Sequence, residues 1–274
     1  FGCSDLGALA QQLQLWGLRL DYGFSLEEMC ALAQKMPVAV NASTTTPETA
    51  RRLAAGGGTV IAMHNFYPRP ETGLDPEFLR DSTTALQAEG LKVYGFIPGD
   101  AMLRGPLYRG LPTLEDHRTA APSAAFVDLA VGYGLDGIFA GDPGVSETEQ
   151  QRIRHFCTTG EICLPVALRP GYETLYDRTF TCRPDSPRTL VRYQESRLYS
   201  CFGTTVEPQN CVPRRRGCVT MDNVGYGRYS GEIQLMRQDF PADEKVNVIG
   251  EVPPAYHLLL DCIRRGSTFR MVEV

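Results

Sequence analysis

The chain has 274 residues, of which 43% are hydrophobic, and its 27 Lys plus Arg against 32 Asp plus Glu give a net charge of −5. At about 150 residues per domain, this length predicts two domains. The acidic balance, without a basic tract, argues against nucleic acid as a partner. No apolar run approaches the roughly 18 residues of a membrane helix, and no signal segment opens the chain, so we expect a cytoplasmic protein with no membrane partner.

The composition also argues against cofactor and metal chemistry. The only lysines are Lys35, Lys92 and Lys245, and none of them follows a predicted strand, which disfavours Schiff-base and pyridoxal enzymes. The nine cysteines form no Cys-x-x-Cys pair, and the four histidines show no paired spacing. We therefore expect no cofactor, no metal site and no disulfide framework.

The first part of the chain alternates between strand and helix patterns. The predicted strands lie at 16–23, 38–43, 60–63, 92–97 and 137–140. A helical pattern follows each of them, and polar residues gather directly after each strand. This is the pattern of a β/α barrel, in which functional groups lie on loops at the carboxyl ends of the strands. We predict a partial TIM barrel over residues 1–160.

Five strand–helix units do not close an eight-stranded barrel. Because the chain begins in a helical pattern without an initiator methionine, we expect that about three leading units are missing from it. An open doubly wound sheet is the alternative. A barrel that lacks strands exposes two strand edges, which favours a homodimer.

After about Cys163 the helical periodicity nearly disappears. Short β-prone runs lie at 164–168, 188–192, 218–221, 231–237, 246–252 and 268–272, with one predicted helix at 254–264. Short runs between Gly, Pro and Asn residues predict a second, compact β domain or small barrel over residues 161–274. The predicted fold class is therefore α/β followed by β.

The polar residues that follow the predicted strands are candidates for catalysis and binding. They are Asp21, Asn41, His64, Asn65, Asp100 and Asp142. Convergent carboxylates suit glycoside hydrolysis, where one acid protonates the leaving oxygen and another activates water or stabilises positive charge. The three aspartates are therefore the catalytic candidates, and the other three residues are binding candidates. Alternatively, each carboxylate only bonds backbone amides in a tight turn, and His64 is a satisfied buried imidazole.

The stretch 63–74 predicts a stiff, polar loop. Pro68 and Pro70 restrict the backbone around Arg69, which lowers the entropy lost when this guanidinium grips an anion. Further groups suited to holding a phosphate are Arg104 and Arg109 and the turn residues Gly99, Gly105 and Gly141. The alternative is a rigid surface loop whose arginine caps a helix.

Several motifs along the chain resemble those of one protein family. They are Leu18 to Phe24, Asn41 to Thr44, His64 to Leu74, Phe96 to Asp100, Arg104 to Leu107, Gly110 to Glu115, Gly141 to Pro143, Glu195 to Arg197, Arg215 to Gly217, Asp222 with Asn223, Tyr226 to Tyr229, Gly231 with Glu232, and Val246 to Gly250. In this order they resemble the MupG family of 6-phospho-N-acetylmuramidases over nearly the whole chain.

The resemblance implies a TIM barrel followed by a cyclophilin-like β-barrel. It also implies cytoplasmic hydrolysis of the β-1,4 bond between N-acetylmuramic acid 6-phosphate and N-acetylglucosamine in peptidoglycan recycling. The expected partner is thus a phosphorylated amino-sugar disaccharide. Rival hypotheses are a catalytically inactive sugar-phosphate-binding protein and, from the implied second domain alone, a peptidyl-prolyl isomerase.

Three further residues are predicted to bind the substrate. Glu71 stands where the family usually has an aromatic residue, so it could alter the charge of the pocket. Tyr226 and Arg228 belong to a motif in which an arginine lies between aromatic residues behind a tight turn. Such an arginine is costly to hold without a partner, so we expect both residues to reach the ligand.

Overall fold

The computed structural model of the chain describes residues 3–196, 200 and 205–274. Arg197, in the motif that begins at Glu195, therefore lies outside the described residues. The chain forms two compact units, Phe1–Thr119 with Leu129–Val145, and Ala120–Asp128 with Ser146–Val274. The predicted domain boundary at residue 160 stays a prediction. Among the described residues, no helix is long and apolar enough to cross a membrane.

The first unit is built on a five-stranded sheet in which every neighbouring pair of strands is parallel. Its elements are α1 (Cys3–Gln12), β1 (Leu18–Leu20), α2 (Leu26–Ala33), β2 (Val38–Asn41), α3 (Pro47–Ala55), β3 (Val60–Met63), α4 (Pro76–Ala88), β4 (Lys92–Ile97) and β5 (Gly137–Ala140). The strand order β1-β2-β3-β4-β5 follows the chain. The predicted parallel α/β sheet is confirmed.

Capping residues fix where the helices of this unit begin. At the start of α2, the Glu28 N–H donates to Ser25 Oγ at 3.2 Å and the Ser25 N–H donates to Glu28 Oε2 at 2.8 Å. This reciprocal pair is a capping box, which satisfies two backbone donors at once. Thr46 and Asp75 cap α3 and α4, each with a proline in the first helical turn. These caps fix the residue at which each of the three helices begins.

The two faces of this sheet differ in what covers them. Helices cover one face, where Leu53 of α3 and Val93 of β4 belong to one buried cluster. The other face forms an apolar hollow of about 430 Å³. Trp16 and Phe139 line it with exposures of 70% and 45%. An exposed apolar face of this kind marks a surface that meets a ligand or another protein segment.

The second unit consists of short strands and α-helices. Its elements are α5 (Pro122–Val127), α6 (Glu147–Thr159), β6 (Ile162–Pro165), β7 (Ala167–Leu168), β8 (Thr179–Thr181), β9 (Leu190–Arg192), β10 (Cys218–Asp222), β11 (Ile233–Met236), β12 (Val246–Glu251), α7 (Leu258–Cys262) and β13 (Thr268–Val272). One sheet is antiparallel with the order β7-β12-β10-β11-β9, and the other has the order β6-β13-β8. The predicted β domain is confirmed.

An aromatic cluster fills the interior of the second unit. Phe180, Tyr193 and Phe269 are buried. The centroid of the Tyr193 ring lies 4.9 Å from that of Phe180 and 4.8 Å from that of Phe269, and the two phenylalanine centroids lie 5.9 Å apart. Phe180 and Phe269 lie on paired strands, and Tyr193 follows β9 of the other sheet. Aromatic rings at these separations add to the free energy gained from burial alone, by roughly 0.5–1.5 kcal/mol per pair. The cluster therefore packs the two sheets of this unit together.

Candidate functional site

The carboxyl ends of the five parallel strands bring the predicted strand-end residues to one edge of the first unit's sheet. Asp21 follows β1, Asn41 ends β2, His64 and Asn65 follow β3, Gly99 and Asp100 follow β4, and Gly141 and Asp142 follow β5. We call this edge, with the loops that leave it, the carboxyl edge. It collects the three predicted catalytic aspartates and most of the predicted binding residues.

Asn41 joins the first two strands at the carboxyl edge. This residue is buried, and its Nδ2 donates to Asp21 Oδ1 at 3.2 Å while its Oδ1 accepts the Ser43 N–H at 3.0 Å. Asp21 and Asn41 line a cavity of about 210 Å³ together with Thr44 and Thr45. Because Asn41 is itself fixed by the backbone, it orients the Asp21 carboxylate. The cavity therefore presents fixed oxygen atoms to a polar ligand.

His64 is buried within the carboxyl edge and is neutral near pH 7. Burial, and secondarily the positive charge of Arg19, lower the pKa of this imidazole to about 4. Nδ1 lies 3.2 Å from Ser43 Oγ. Nε2 is buried and has no hydrogen-bond partner within the described part of the chain. The alternative of a satisfied buried imidazole thus holds for one ring nitrogen, and the other retains the capacity for one further hydrogen bond.

Arg19 is a site residue that the sequence does not single out. It stands in the middle of β1, and its Nη2 donates to Asn65 Oδ1 in the loop after β3. The sheet register makes this contact possible, since it places Arg19 beside Ala39 and Ala39 beside Ile61. The guanidinium therefore reaches across β2 and fixes the predicted binding residue Asn65.

Asp142 organises the loops that follow β4 and β5. Its carboxylate accepts the N–H groups of Gly99 at 2.9 Å, Arg104 at 2.9 Å and Leu111 at 2.8 Å, and the residue is 4% exposed. These donors occupy both carboxylate oxygens. The contacts match the alternative in which the carboxylate only bonds backbone amides. They favour a positioning role for Asp142 over the predicted catalytic one.

Asp21 and Asp100 are exposed, in contrast to Asp142. The Asp100 N–H donates to the Gly144 carbonyl at 3.3 Å, which fixes the backbone of this residue after the turn at Pro98. Both side chains are accessible to a ligand at the carboxyl edge. Within the described residues, no group of three or more His, Cys, Asp or Glu side chains is arranged to hold a metal ion.

The predicted glycines allow close approach between loops. A Cβ at Gly99 would lie 2.4 Å from the Gly144 carbonyl oxygen, and one at Gly141 would lie 2.2 Å from the Leu111 carbonyl oxygen. No side chain fits at either position without backbone movement. Gly105 is exposed and precedes a cis peptide bond to Pro106. The observed role of Gly99 and Gly141 is packing, and phosphate binding by the three glycines stays a prediction.

Glu115 holds the backbone of the loop after β3. Its carboxylate accepts the N–H groups of Glu71 at 2.8 Å and Gly73 at 2.7 Å, and it pairs with Arg118 through two bonds of 2.6 Å. The bonds from the Arg118 guanidinium, followed by those from the two backbone amides, lower the pKa of the Glu115 carboxyl to about 2. This carboxylate therefore stays charged at all physiological pH values, and at each of them it can hold the loop after β3.

Arg118 completes the support of the same loop. It donates from Nη1 to the carbonyl oxygens of Tyr67 at 3.0 Å and Gly110 at 3.1 Å, and from Nη2 to that of Arg69 at 3.3 Å. The side chain of Arg69 is exposed. The loop thus has the preorganised backbone that its prolines predict, but Glu115 and Arg118 also fix it. Neither residue is singled out by the sequence.

A cavity of about 440 Å³ lies among the loops of the carboxyl edge. Its lining residues are Pro70, Gly99, Leu103, Tyr108, Arg109, Gly110, Arg118 and Thr119. Arg104 follows Leu103 and stacks over Phe66, with 5.6 Å between Cζ and the ring centroid. Guanidinium groups lining a cavity favour an anionic ligand. The predicted anion-binding arginines therefore lie in or beside the loops that form this cavity.

Tyr226 and Arg228 lie in the second unit. The Tyr226 hydroxyl donates to Asp243 Oδ2 at 2.7 Å. Arg228 stacks over Tyr229, with 4.9 Å between Cζ and the ring centroid, and donates to its hydroxyl at 2.8 Å. Both predicted residues thus have partners in their own unit. Their binding of substrate stays a prediction.

A parallel α/β sheet with polar side chains at its carboxyl edge, followed by a unit built mainly of antiparallel strands, defines an α/β-plus-β protein. Within this class, the chain belongs to the 6-phospho-N-acetylmuramidase family. Residues 2–155 match the description "6-phospho-N-acetylmuramidase, N-terminal", and residues 162–272 match "6-phospho-N-acetylmuramidase, C-terminal". The resemblance to the MupG family is confirmed.

Two crystal structures resemble the chain over its whole length. A conserved protein from a locus in Enterococcus faecalis, with an unknown function, is 37% identical with a TM-score of 0.84, and the match covers 100% of this chain and 76% of that one. An uncharacterized B. cereus protein is 23% identical with a TM-score of 0.82, and that match covers 100% of this chain and 81% of the other. The second likeness shows the fold alone. No curated protein matches the chain.

Proposed function

We propose that this protein hydrolyses the β-1,4 bond between N-acetylmuramic acid 6-phosphate and N-acetylglucosamine, as a step in peptidoglycan recycling. The observation that carries this proposal is membership in the 6-phospho-N-acetylmuramidase family, which extends over both matched parts of the chain. The exposed aspartates of the carboxyl edge support it, because most glycoside hydrolases use a pair of carboxyl groups beside the scissile bond.

The proposal includes the finer fold. We regard the five-stranded sheet as part of a TIM barrel, since its strands are parallel, follow chain order and leave an apolar face opposite the helices. We regard the second unit as a cyclophilin-like β-barrel. In support of this, Cys182 and Tyr193 form an antiparallel bridge, which joins the end of β8 to the strand region after β9. The two sheets of the second unit therefore meet along one side.

Asp21 and Asp100 are the carboxylates to which we assign the chemistry. Asn41 orients Asp21, and the hydrogen bond from the Asp100 N–H fixes the start of the loop that carries Asp100. Asp142 holds that loop through the N–H groups of Gly99 and Arg104, so it acts on the reaction through position. We assign Asp100 to activating water or stabilising positive charge at the sugar, rather than to protonating the leaving oxygen.

The 440 Å³ cavity is the proposed subsite for the 6-phosphate. Arg109 lines it, and the neighbouring loops carry Arg69 and Arg104. Guanidinium groups bind phosphate oxygens through parallel N–H bonds, which provide both charge and geometry. Asn65 lies at the same carboxyl edge and suits an uncharged oxygen of the amino sugar, whereas His64 is buried and its binding of substrate stays a prediction.

The test is product release from the phosphorylated disaccharide by the purified protein. We expect N-acetylglucosamine and N-acetylmuramic acid 6-phosphate to appear in equal amounts by liquid chromatography with mass spectrometry. The dephosphorylated disaccharide is the substrate control and should be cleaved much more slowly. Binding of the phosphorylated disaccharide without any cleavage would support the inactive sugar-phosphate-binding protein instead.

Asp100→Asn tests the assigned chemistry. We expect turnover to fall at least about 100-fold with binding retained, because a charged catalytic group contributes roughly this much or more. Asp81→Asn is the matched control, since Asp81 is an exposed aspartate in α4. Near-normal turnover with a raised Michaelis constant would make Asp100 a binding residue.

A further inference from the structure

A second polar cavity lies entirely within the second unit. Its volume is about 420 Å³, and charged or hydrogen-bonding groups on its walls come from Arg183, Asp185, Arg192, Ser200, Arg228, Tyr229 and Glu232. A volume of this size is in the range of small-molecule sites. Three of these residues are arginines and two are carboxylates. The cavity is therefore suited to an anion.

Arg183, which lines this cavity, carries a buried hydrogen-bond donor that has no acceptor among the residues that the structure describes. Its Nε and Nη2 donate to the two carboxylate oxygens of Asp185 at 2.9 and 2.7 Å. Its Nη1 lies 3.9 Å from Glu232 Oε1, which is too long for a hydrogen bond. The residue is 8% exposed, and Nη1 has no hydrogen-bond partner in the described ranges. A buried donor without an acceptor is costly, so an acceptor from outside the chain would stabilise this arrangement.

The two carboxylates neutralise the arginines unequally. Arg192 donates from Nη2 to Glu232 Oε2 at 2.8 Å, whereas its Nη1 lies 3.6 Å from Asp185 Oδ2. The side chain of Glu232 is 6% exposed, but that of Asp185 is 58% exposed. Water and salt screen an exposed charge much more than a buried one. The positive charge on Arg183 and Arg192 is therefore only partly offset within the cavity.

Arg228 and Tyr229 form another part of the wall. The guanidinium lies over the tyrosine ring, and the hydrogen bond between the two side chains holds that stack in place. A guanidinium held on an aromatic face loses less conformational entropy when it binds an anion. The ring itself offers an apolar surface beside the charge. The wall thus combines a fixed cation with a flat surface for the body of a ligand.

We propose that this cavity binds a small organic anion through a carboxylate or phosphate group. One oxygen of that group accepts the unmet hydrogen bond from Arg183 Nη1, and the charges of Arg192 and Arg228 attract the anion. The body of the ligand rests against Tyr229. This site shares no residue with the carboxyl edge. Binding of the anion there does not depend on hydrolysis of a substrate.

Calorimetric titration with three amino sugars tests the proposal on the whole protein. N-acetylglucosamine 6-phosphate carries a phosphate alone, N-acetylmuramic acid carries a carboxylate alone, and N-acetylglucosamine carries neither. We expect saturable binding of at least one charged sugar and none of the uncharged one. Hydrogen–deuterium exchange should slow over residues 183–192 and 228–232 when that sugar is bound. The sugar that binds identifies the anionic group.

Arginine variants give the second arm of the test. Arg228→Gln and Arg183→Lys should each weaken binding about 10-fold or more, since each removes guanidinium donors and the second keeps the charge. Arg215→Gln is the matched control, because Arg215 pairs with the exposed Asp239 and does not line the cavity. It should leave the affinity unchanged.

Three results would overturn the proposal. They are failure of both charged sugars to bind, protection from exchange confined to residues 98–111, and equal weakening by Arg215→Gln and Arg228→Gln. Loss of this binding site would leave the hydrolysis proposal standing, because product release is measured separately. Arg228 is exposed, so its substitution tests the site even where Arg183→Lys impairs folding.

Discussion

Replacing Asp142 with Asn separates positioning from catalysis at the carboxyl edge. The variant has the same shape but carries no charge and only one acceptor oxygen. That oxygen can still accept from Gly99 and Leu111, which share one carboxylate oxygen in the native protein. The new NH₂ group then faces the N–H of Arg104, which bonds the other oxygen. Two donors therefore oppose each other in a site where the native residue is 4% exposed.

The expected loss of stability is about 3–5 kcal/mol for the loops after β4 and β5. A hydrogen bond to a charged group is worth about 1 kcal/mol more than a neutral one, and this loss applies to the two bonds that remain. The donor left without an acceptor costs about 1–3 kcal/mol in addition. We expect this cost to appear first as local opening, because loops open at a lower free energy than the strands that carry them.

Hydrogen–deuterium exchange at residues 98–111 measures the local cost, and urea unfolding followed by circular dichroism measures the global one. Asp136→Asn is the matched control. Asp136 accepts the Val93 N–H at 2.8 Å, but it precedes β5 and so lies at the opposite edge of the sheet. We expect this control to leave exchange at 98–111 unchanged. Native exchange and native stability in Asp142→Asn, together with lost turnover, would refute the positioning argument and make Asp142 a catalytic residue.

Three further predictions concern the same edge. His64 has a pKa of about 4 against 6.5 when unfolded, so only the unfolded chain gains its proton as the pH falls between these values. The wild type should lose roughly 3 kcal/mol of stability over that range relative to His64→Asn, and parallel urea-midpoint curves would contradict this. Glu115→Gln should speed amide exchange at Glu71 and Gly73 while leaving the strands protected, and unchanged exchange there would mean that Arg118 alone holds the loop. Arg69→Ala should weaken binding of the phosphorylated disaccharide about 10-fold or more in calorimetry with unchanged thermal stability, and native affinity would make the loop purely structural.

The fold of the first unit could be predicted because its signals are local. A capping pair such as Ser25 with Glu28 acts over a few residues, and the apolar run 60–63 reads as a strand on its own. Because the strands are parallel, the residues after each strand must lie at one edge of the sheet. This can be predicted without knowing any side-chain contact. The sequence does not predict strand β8, Thr179–Thr181, because Phe180 is its one apolar residue and no apolar run or alternation marks it.

The contacts within the site could not be predicted in the same way. Arg19 meets Asn65, which lies 46 positions further along the chain, and only the sheet register makes them neighbours. Arg118 is three residues after Glu115, a spacing that is common on solvated surfaces, yet its side chain is 9% exposed and donates to a carbonyl group of another loop. Asp142 has the same sequence context whether it holds a loop or performs chemistry. The three N–H groups that donate to Asp142 come from residues 31 to 43 positions earlier in the chain, so the sequence alone does not reveal them.

The path of the chain limits how this protein can be divided. It passes from one unit to the other after Thr119, after Asp128 and after Val145, so the segment that contains α5 leaves and re-enters between β4 and β5. Glu149 of α6 accepts the Ser123 N–H of α5 at 2.7 Å and the Tyr256 hydroxyl at 2.9 Å. A fragment that starts at residue 161 would lack both helices and this buried acceptor. No single cut therefore yields two complete halves, and in a gene fusion the second unit is transferable only together with residues 129–145, which carry strand β5 of the first unit.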